Sequence, residues 1–293
     1  MDKSGINKLV LIGVGLIGGS LALDLKRAGR VAEVVGIDID ADNLARALER
    51  KVIDSAHTGI HAEALAAADV VLIATPVGTL PAICQSLAPL LPAHTIVSDV
   101  GSTKQLALQA FAEYLPQHYP LCVAAHPIAG SDRHGALAAQ FGLFEGKKCI
   151  LCPHEAQDSG SLNRVSALWQ AAGADLYTLS AAEHDAIFAA VSHLPHLMAY
   201  AYVHQIGSAD QRQALLHFAG SWFRDFTRIA ASHPAIWADI CLANRESLQD
   251  LLQQQQQQLA FLQQCLQQQD AAALRDYFQA AKAVRDEWQQ AQS

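Results

Sequence analysis

The chain has 293 residues, 51% of them apolar, which is enough to bury a large core in one or two domains and excludes intrinsic disorder. Its 20 Lys and Arg against 28 Asp and Glu leave a net charge of -8, which repels phosphate backbones and excludes nucleic-acid binding held by non-specific charge. Any anionic ligand must therefore be met by a local site. The 6 cysteines are scattered and make no disulfide framework, and residues 1–8 are polar rather than a signal peptide. Gly, Asp, Lys, His or Gln interrupts every apolar run before it reaches the roughly 18 residues of a spanning helix. These features predict a cytoplasmic protein with reduced thiols and neither nucleic acid nor membrane as partner.

From residue 8 to about 180, short apolar runs alternate with helical patterns, the signature of strand-helix units and a parallel sheet. The runs 9–12, 34–37, 70–74, 95–98, 121–125 and 149–152 are rich in Val, Ile and Leu, and their unbroken apolarity suits strands covered on both faces. Beyond about residue 180 such runs stop; the chain becomes rich in Ala, Leu and Gln, with Gly only at Gly207 and Gly220. The expected fold is α/β, a doubly wound, mostly parallel sheet over 1–180 followed by an all-helical domain over 181–293. Leu248, Leu251, Leu252, Leu259, Leu262 and Leu266 follow helical spacing and predict one buried stripe, with Gln253 to Gln258 as a solvated face. A second helical pattern runs from about 271 to 288. Two such helices can pack within one chain or across a two-fold axis, and a homodimer is the expectation.

The sharpest local motif is Gly13-Val14-Gly15-Leu16-Ile17-Gly18, directly after the first run and opening a helix. Its glycines permit a tight turn, close backbone approach to a pyrophosphate, and packing of helix on strand, with the helix N-terminus facing the negative charge. Asp38 stands 20 residues after Gly18 at the end of the second run, where a carboxylate bonds the ribose hydroxyls of NAD. The same carboxylate repels the 2′-phosphate of NADP, and no Arg or Lys follows until Arg46, so NAD is the expected cofactor of this Rossmann-type domain. Thr75 and Pro76, after the third run, are expected beside the nicotinamide ribose on topological grounds.

Three polar clusters stand out from their apolar settings. Asp99-Val100-Gly101-Ser102-Thr103-Lys104 follows the fourth run and reads equally as a helix cap. His126-Pro127-Ile128-Ala129-Gly130-Ser131-Asp132 ends the fifth run on the same sheet edge as the glycine turn, where a His can take a proton from an alcohol at neutral pH. Ser192-His193-Leu194-Pro195-His196 lies in the first long helical stretch of the second domain, where Pro195 forces a local break. Although the chain has 13 His, His193 and His196 have no third ligand at a recognisable interval, and no metal is expected. Cys149 and Cys152 have CxxC spacing, but three residues apart in a strand they point to opposite faces, as two packed thiols.

Together with Leu143-Phe144-Glu145-Gly146 and Asp225-Phe226-Thr227-Arg228-Ile229-Ala230, the glycine turn and these clusters resemble prephenate dehydrogenases, in that family's order and over residues 8 to about 250. The resemblance implies oxidative decarboxylation of prephenate to 4-hydroxyphenylpyruvate in tyrosine biosynthesis, or of arogenate to tyrosine, with NAD(P) as acceptor. It implies that His126 draws off the proton of the ring hydroxyl while Ser102 holds that hydroxyl in line. Arg228 grips a substrate carboxylate, with Asp225 one helical turn away to orient it, and Ser192, His193 and His196 line the pocket. Asp132 stands where its carboxylate can pair with the amino group of arogenate, which leaves prephenate and arogenate both open. Tyrosine is a common inhibitor in the family, and none of these residues singles it out here. Relatives carry a chorismate mutase domain in front or a regulatory domain behind, and this chain is expected to be the bare catalytic core.

Two other classes compete with that reading. A β-hydroxyacid dehydrogenase shares the glycine turn and helical second domain but relies on a helix lysine, and between Gly160 and Gln279 the chain has none. A dinucleotide-sensing scaffold predicts cofactor binding without turnover, and it leaves His126, Ser102 and Arg228 with no joint task.

Overall fold

The computed structural model describes residues 5–130 and 133–291. Eight strands form one sheet: β1 (Ile6–Ile12), β2 (Val31–Ile37), β3 (Ser55–His57), β4 (Val70–Ile73), β5 (Ile96–Asp99), β6 (Cys122–Pro127), β7 (Lys148–Cys152) and β8 (Asp175–Thr178). Their order is β3-β2-β1-β4-β5-β6-β7-β8, with every neighbouring pair parallel except the antiparallel β6 and β7. Six of these strands coincide with the six apolar runs. The other two, β3 and β8, are short edge strands, the first partly covered and the second mostly exposed, so no buried apolar run announces them.

The helices α1 (Leu16–Arg27), α2 (Ala41–Glu49), α3 (Ala62–Leu65), α4 (Leu80–Leu87), α5 (Gln105–Tyr114) and α6 (Ser159–Ala171) connect the strands and cover both faces. One face buries Leu9, Leu11 and Val34 with Leu21, Leu25 and Trp169; the other buries Val10, Ile12 and Val35 with Leu80, Leu87 and Phe111. Alternate residues of one strand thus enter two different cores, which is why the runs are continuously apolar. Cys149 joins the first core and Cys152 the second, and burial pushes both thiols up to about 12.

Then follow α7 (Ala181–Phe188), α8 (Leu194–Gly207), α9 (Arg212–His217), α10 (Ser221–Thr227) and α11 (Pro234–Ala243). The break expected at Pro195 is a π-helical turn, Ala189–His193, just before the proline, which has no N–H to give the preceding turn; close by, the His196 ring Nδ1 donates to the Ser192 carbonyl at 3.0 Å. The run Ala181–Gly207 is long and apolar enough to cross a membrane by length and composition, with a mean hydropathy of 1.3 over an 18-residue window. The run is not an unbroken apolar one, since Glu183, His184, Asp185, His193 and His196 interrupt it.

Residues 246–293 form a separate compact unit, made of α12 (Arg245–Gln268) from its second residue on and α13 (Ala271–Gln290). Gln269 makes the turn in the left-handed region (φ 53°), and the Asp270 carboxylate caps α13 by accepting from Ala272 and Ala273 amides. Tyr277 of α13 reaches back to α12, with its hydroxyl on Gln258 and its ring against Phe261. The predicted buried stripe is only partly buried: Leu248 is covered, but Leu259 and Leu266 are 49% and 68% exposed, because a two-helix unit leaves half of each stripe unfaced.

Candidate active site

The carboxyl ends of β1, β2, β4, β5 and β6 share one edge, and the order in which strands are added reverses between the parallel neighbours β1 and β4, the place where open α/β sheets bind ligands. The glycine turn sits there. Gly13 has φ +88°, and a Cβ on it would lie 2.6 Å from the Ala74 carbonyl; a Cβ on Gly18 would lie 2.4 Å from Leu11, so α1 packs on β1 only with glycine. Gly15 is different: nothing lies within 4 Å of its added Cβ. No side chain caps α1, so the first amides, from Leu16 and Ile17, stay available to an anion at an open helix N-terminus. These residues fit a dinucleotide pyrophosphate.

Asp38 ends β2 beside the turn. Its Oδ2 accepts from the Val14 amide and from Asn43 Nδ2, each at 3.0 Å, and its Oδ1 accepts from the Asp40 amide at 3.0 Å. Asn43 also donates to the Val14 carbonyl and accepts the Ala136 amide, tying the carboxylate, the turn and the β6–β7 connection together. Thr75 and Pro76 follow β4 at the same edge, with the Thr75 hydroxyl 2.8 Å from that of Thr79.

His126 lies within β6, one residue beyond the predicted run, and is partly buried at this edge. Its Nδ1 is 2.8 Å from His184 Nε2, and His184 Nδ1 is 2.8 Å from Asp185 Oδ1. Both His184 and Asp185 are fully buried on α7. Asp185 also accepts the amides of Lys104 (2.7 Å) and Gln105 (2.9 Å), capping α5 from outside. The Asp99–Lys104 cluster is therefore no local cap. Lys104 Nζ instead donates to Asp99 Oδ2 at 2.5 Å and to the Ala125 carbonyl at 2.6 Å, next to His126. Burial, then the charge of Lys104, hold His126 well below the usual histidine range, so it is neutral at pH 7. Ser102 sits partly buried in the loop between β5 and α5.

The helical residues are arranged less uniformly. His196 stacks on Trp237 at 3.5 Å and 17°, and its pKa is lowered chiefly by burial, with the charge of Arg228 contributing. Ser192 is partly buried in the π turn. His193 is 1% exposed, with Nδ1 3.2 Å from Asn244 Nδ2, and burial pushes its pKa to about 4. Arg228 is exposed, and no hydrogen bond or ion pair to it is found among the described residues. Asp225 does not orient it: its carboxylate pairs with Arg224 Nε at 3.7 Å, and both side chains point to solvent. Asp132 lies outside the described residues.

Sequence reasoning missed His184, Asp185, Trp237 and Asn244. Ser180 and Glu183 form a capping box that reads as a plain helix start, and the adjacent His184-Asp185 pair in an otherwise Ala-rich turn was the available signal. Nothing local marks Trp237 or Asn244.

A glycine turn with an acidic partner on β2 and a neutral histidine on the same edge define an NAD-dependent dehydrogenase. The nucleotide-binding domain of prephenate dehydrogenase matches residues 21–178 and the dimerization domain of prephenate dehydrogenase matches 180–280. The chain belongs to the prephenate dehydrogenase family, whose members are NAD-dependent oxidoreductases. It is 36% identical over 280 residues to prephenate dehydrogenase of Bacillus subtilis (strain 168), covering 95% of this chain and 75% of that one. It is 30% identical to cyclohexadienyl dehydrogenase of Zymomonas mobilis, covering 94% of each. The structure of prephenate dehydrogenase from A. aeolicus in complex with hydroxyphenyl propionate and NAD+ is similar with a TM-score of 0.90 at 32% identity, covering 97% of this chain and 98% of that one.

Proposed function

We propose that the chain oxidises and decarboxylates prephenate to 4-hydroxyphenylpyruvate with NAD, in tyrosine biosynthesis. The observation that carries this is His126: neutral, at the carboxyl end of β6, on the edge that holds the glycine turn. Bound NAD supplies the acceptor for the electron pair of the carbinol C–H bond. His126 accepts the hydroxyl proton as that carbon becomes a ketone, and Ser102 holds the hydroxyl in line. The ketone is conjugated with the carbon bearing the carboxylate, so the C–CO2 bond breaks with its electrons entering the ring, which becomes aromatic. The oxygen ends as a phenol, so the proton parked on His126 returns to it. No metal or covalent intermediate is needed to balance the reaction.

Prephenate is a dianion and the protein is acidic, so local cations must hold it. Arg228 supplies one, its guanidinium free of an internal carboxylate since Asp225 is engaged with Arg224. Ser192 and His196 line the same pocket, with His193 behind them. The test is product analysis: prephenate and NAD are expected to give reduced cofactor, carbon dioxide and 4-hydroxyphenylpyruvate in equal amounts. A second reading, use of arogenate as well, is supported by the Zymomonas relative, which is named cyclohexadienyl dehydrogenase, and by the carboxylate of Asp132. Equal rates with arogenate carry that reading.

The protein works as a homodimer in this account. Phe218 and Trp222 are 84% and 88% exposed, and they and the uncovered stripe of α12 fall within the match to the dimerization domain. Tyrosine, which carries the hydroxyphenyl end seen in the ligand of the Aquifex relative, inhibits by occupying the substrate cleft. A cytoplasmic setting agrees with its six free thiols.

A further inference from the structure

We propose that His184 and Asp185 act as positioning residues that fix the tautomer of His126, so that its Nε2 is the atom left to accept the substrate proton. The inference rests on the assignment of His126 as proton acceptor and goes beyond it by naming which nitrogen accepts and what decides it.

The order of donors follows from one charge. The Asp185 carboxylate is buried, which raises its pKa, but the hydrogen bond from His184 and the amides of Lys104 and Gln105 outweigh that, and its pKa is lowered. An ionised carboxylate only accepts. His184 Nδ1, 2.8 Å from Asp185 Oδ1, must therefore carry a proton and donate it. Burial keeps His184 neutral, against the pull of Asp185, so its Nε2 holds a lone pair. His126 Nδ1, 2.8 Å from that lone pair, must in turn be the donor. A neutral histidine protonated at Nδ1 has Nε2 free, and this is the state a hydroxyl proton requires.

Packing holds the geometry in place. The Phe188 ring lies 4.9 Å from the His126 ring and 4.5 Å from the His184 ring, so neither imidazole turns without displacing it. Asn244 Nδ2 donates to the Asp185 carbonyl at 2.8 Å. The charged and titratable groups facing His126 are Lys104 with its partner Asp99 from β5 and α5, His184 and Asp185 from α7, and His193 from the π turn. Lys104, although paired with Asp99, still disfavours a charged His126, so Asp185, two hydrogen bonds away through His184, is the anion that stabilises His126 once it holds the proton. The proton gained at Nε2 leaves the Nδ1–H bond to His184 intact, and return of that proton to the phenol oxygen restores the starting tautomer.

Asp185→Asn is nearly isosteric and presents an amide donor to His184, which reverses both imidazoles and protonates His126 at Nε2. The expected result is a fall in kcat on the order of a thousandfold or more, with KM changed less than threefold, by analogy with tautomer reversal in a catalytic triad. Loss of the anion also makes His126 harder to protonate, so the acid limb of kcat/KM moves to lower pH, a change that a merely structural cap on α5 does not produce. Because Asp185→Asn can weaken folding, two further readouts stand beside it. His184→Phe leaves the cap on α5 and should lose kcat comparably. Imidazole 15N NMR of the unaltered protein reads the tautomer directly, with no substrate, and should show His126 protonated at Nδ1 only. A His126 protonated at Nε2, or folded Asp185→Asn with kcat within threefold of the parent, overturns the proposal. If the tautomer is as stated and prephenate is not turned over, the relay stands and the substrate assignment falls.

Discussion

Lys104 and Asp99 form an ion pair with both side chains almost fully buried, and the same ammonium donates to the carbonyl of Ala125, the residue before His126. The pair thus anchors the strand end that presents the proposed base. Removing one partner leaves the other charge buried and unpaired, which costs about 3–5 kcal/mol. Lys104→Met is expected to lower stability to urea by that amount, and adding Asp99→Asn should recover part of it. A single variant within about 1 kcal/mol of the parent would show that the pair does not hold the strand end.

His126→Asn should lower kcat by about a hundredfold to ten-thousandfold, the usual range for losing a general base, with NAD affinity unchanged. Arg228→Gln should act mainly on KM, raising it at least about tenfold by removing a charge-assisted contact to a carboxylate. Steady-state kinetics on both variants separates the roles; the opposite split would exchange them.

Asp38 accepts three hydrogen bonds while facing the open turn. Asp38→Ser removes the carboxylate that repels a 2′-phosphate, so the preference for NAD over NADP should fall by at least about tenfold, measured as the ratio of kcat/KM values. An unchanged ratio would move cofactor choice to other residues.

Burial pushes His193 from an ordinary value near 6.5 down to about 4. Between those two values the unfolded chain binds the proton and the folded one does not, so stability rises with pH across that window. It is complete above about pH 6.5 and lost progressively down to about pH 4, by about 3 kcal/mol for this group. Denaturant melts from pH 7 to 4.5 should show that slope, and His193→Gln should flatten it. A slope equal in both proteins would assign it to other groups.

Trp222→Glu places a charge on the exposed apolar surface of α10, and Leu266→Glu does so on the uncovered stripe of α12. Either should shift sedimentation from dimer toward monomer at micromolar concentration. A parent that is already monomeric would remove the dimer from the account.

Much of this fold is legible in the sequence because burial on both faces forces unbroken apolar runs, as in Val70–Ile73 and Cys149 to Cys152. The glycine turn is legible for a related reason, since φ +88° at Gly13 and the contact of Gly18 with Leu11 each require glycine. Edge strands such as Ser55–His57 escape notice, having little to bury. Contacts distant in sequence escape it altogether. Asp185 caps a helix 80 residues earlier and bonds the neighbour of the proposed base, and no local pattern encodes that. For Asp225 the ambiguity is local instead: Arg224 beside it and Arg228 one helical turn on are both within reach of an exposed carboxylate, and spacing alone does not choose between them.

The most direct test is absorbance of reduced cofactor when the pure protein meets NAD and prephenate, run beside His126→Asn. The account predicts steady reduction by the parent, and loss of at least about 99% of it in the variant while the variant still binds NAD. No reduction by a folded, NAD-binding parent, or equal rates in the two proteins, would contradict it.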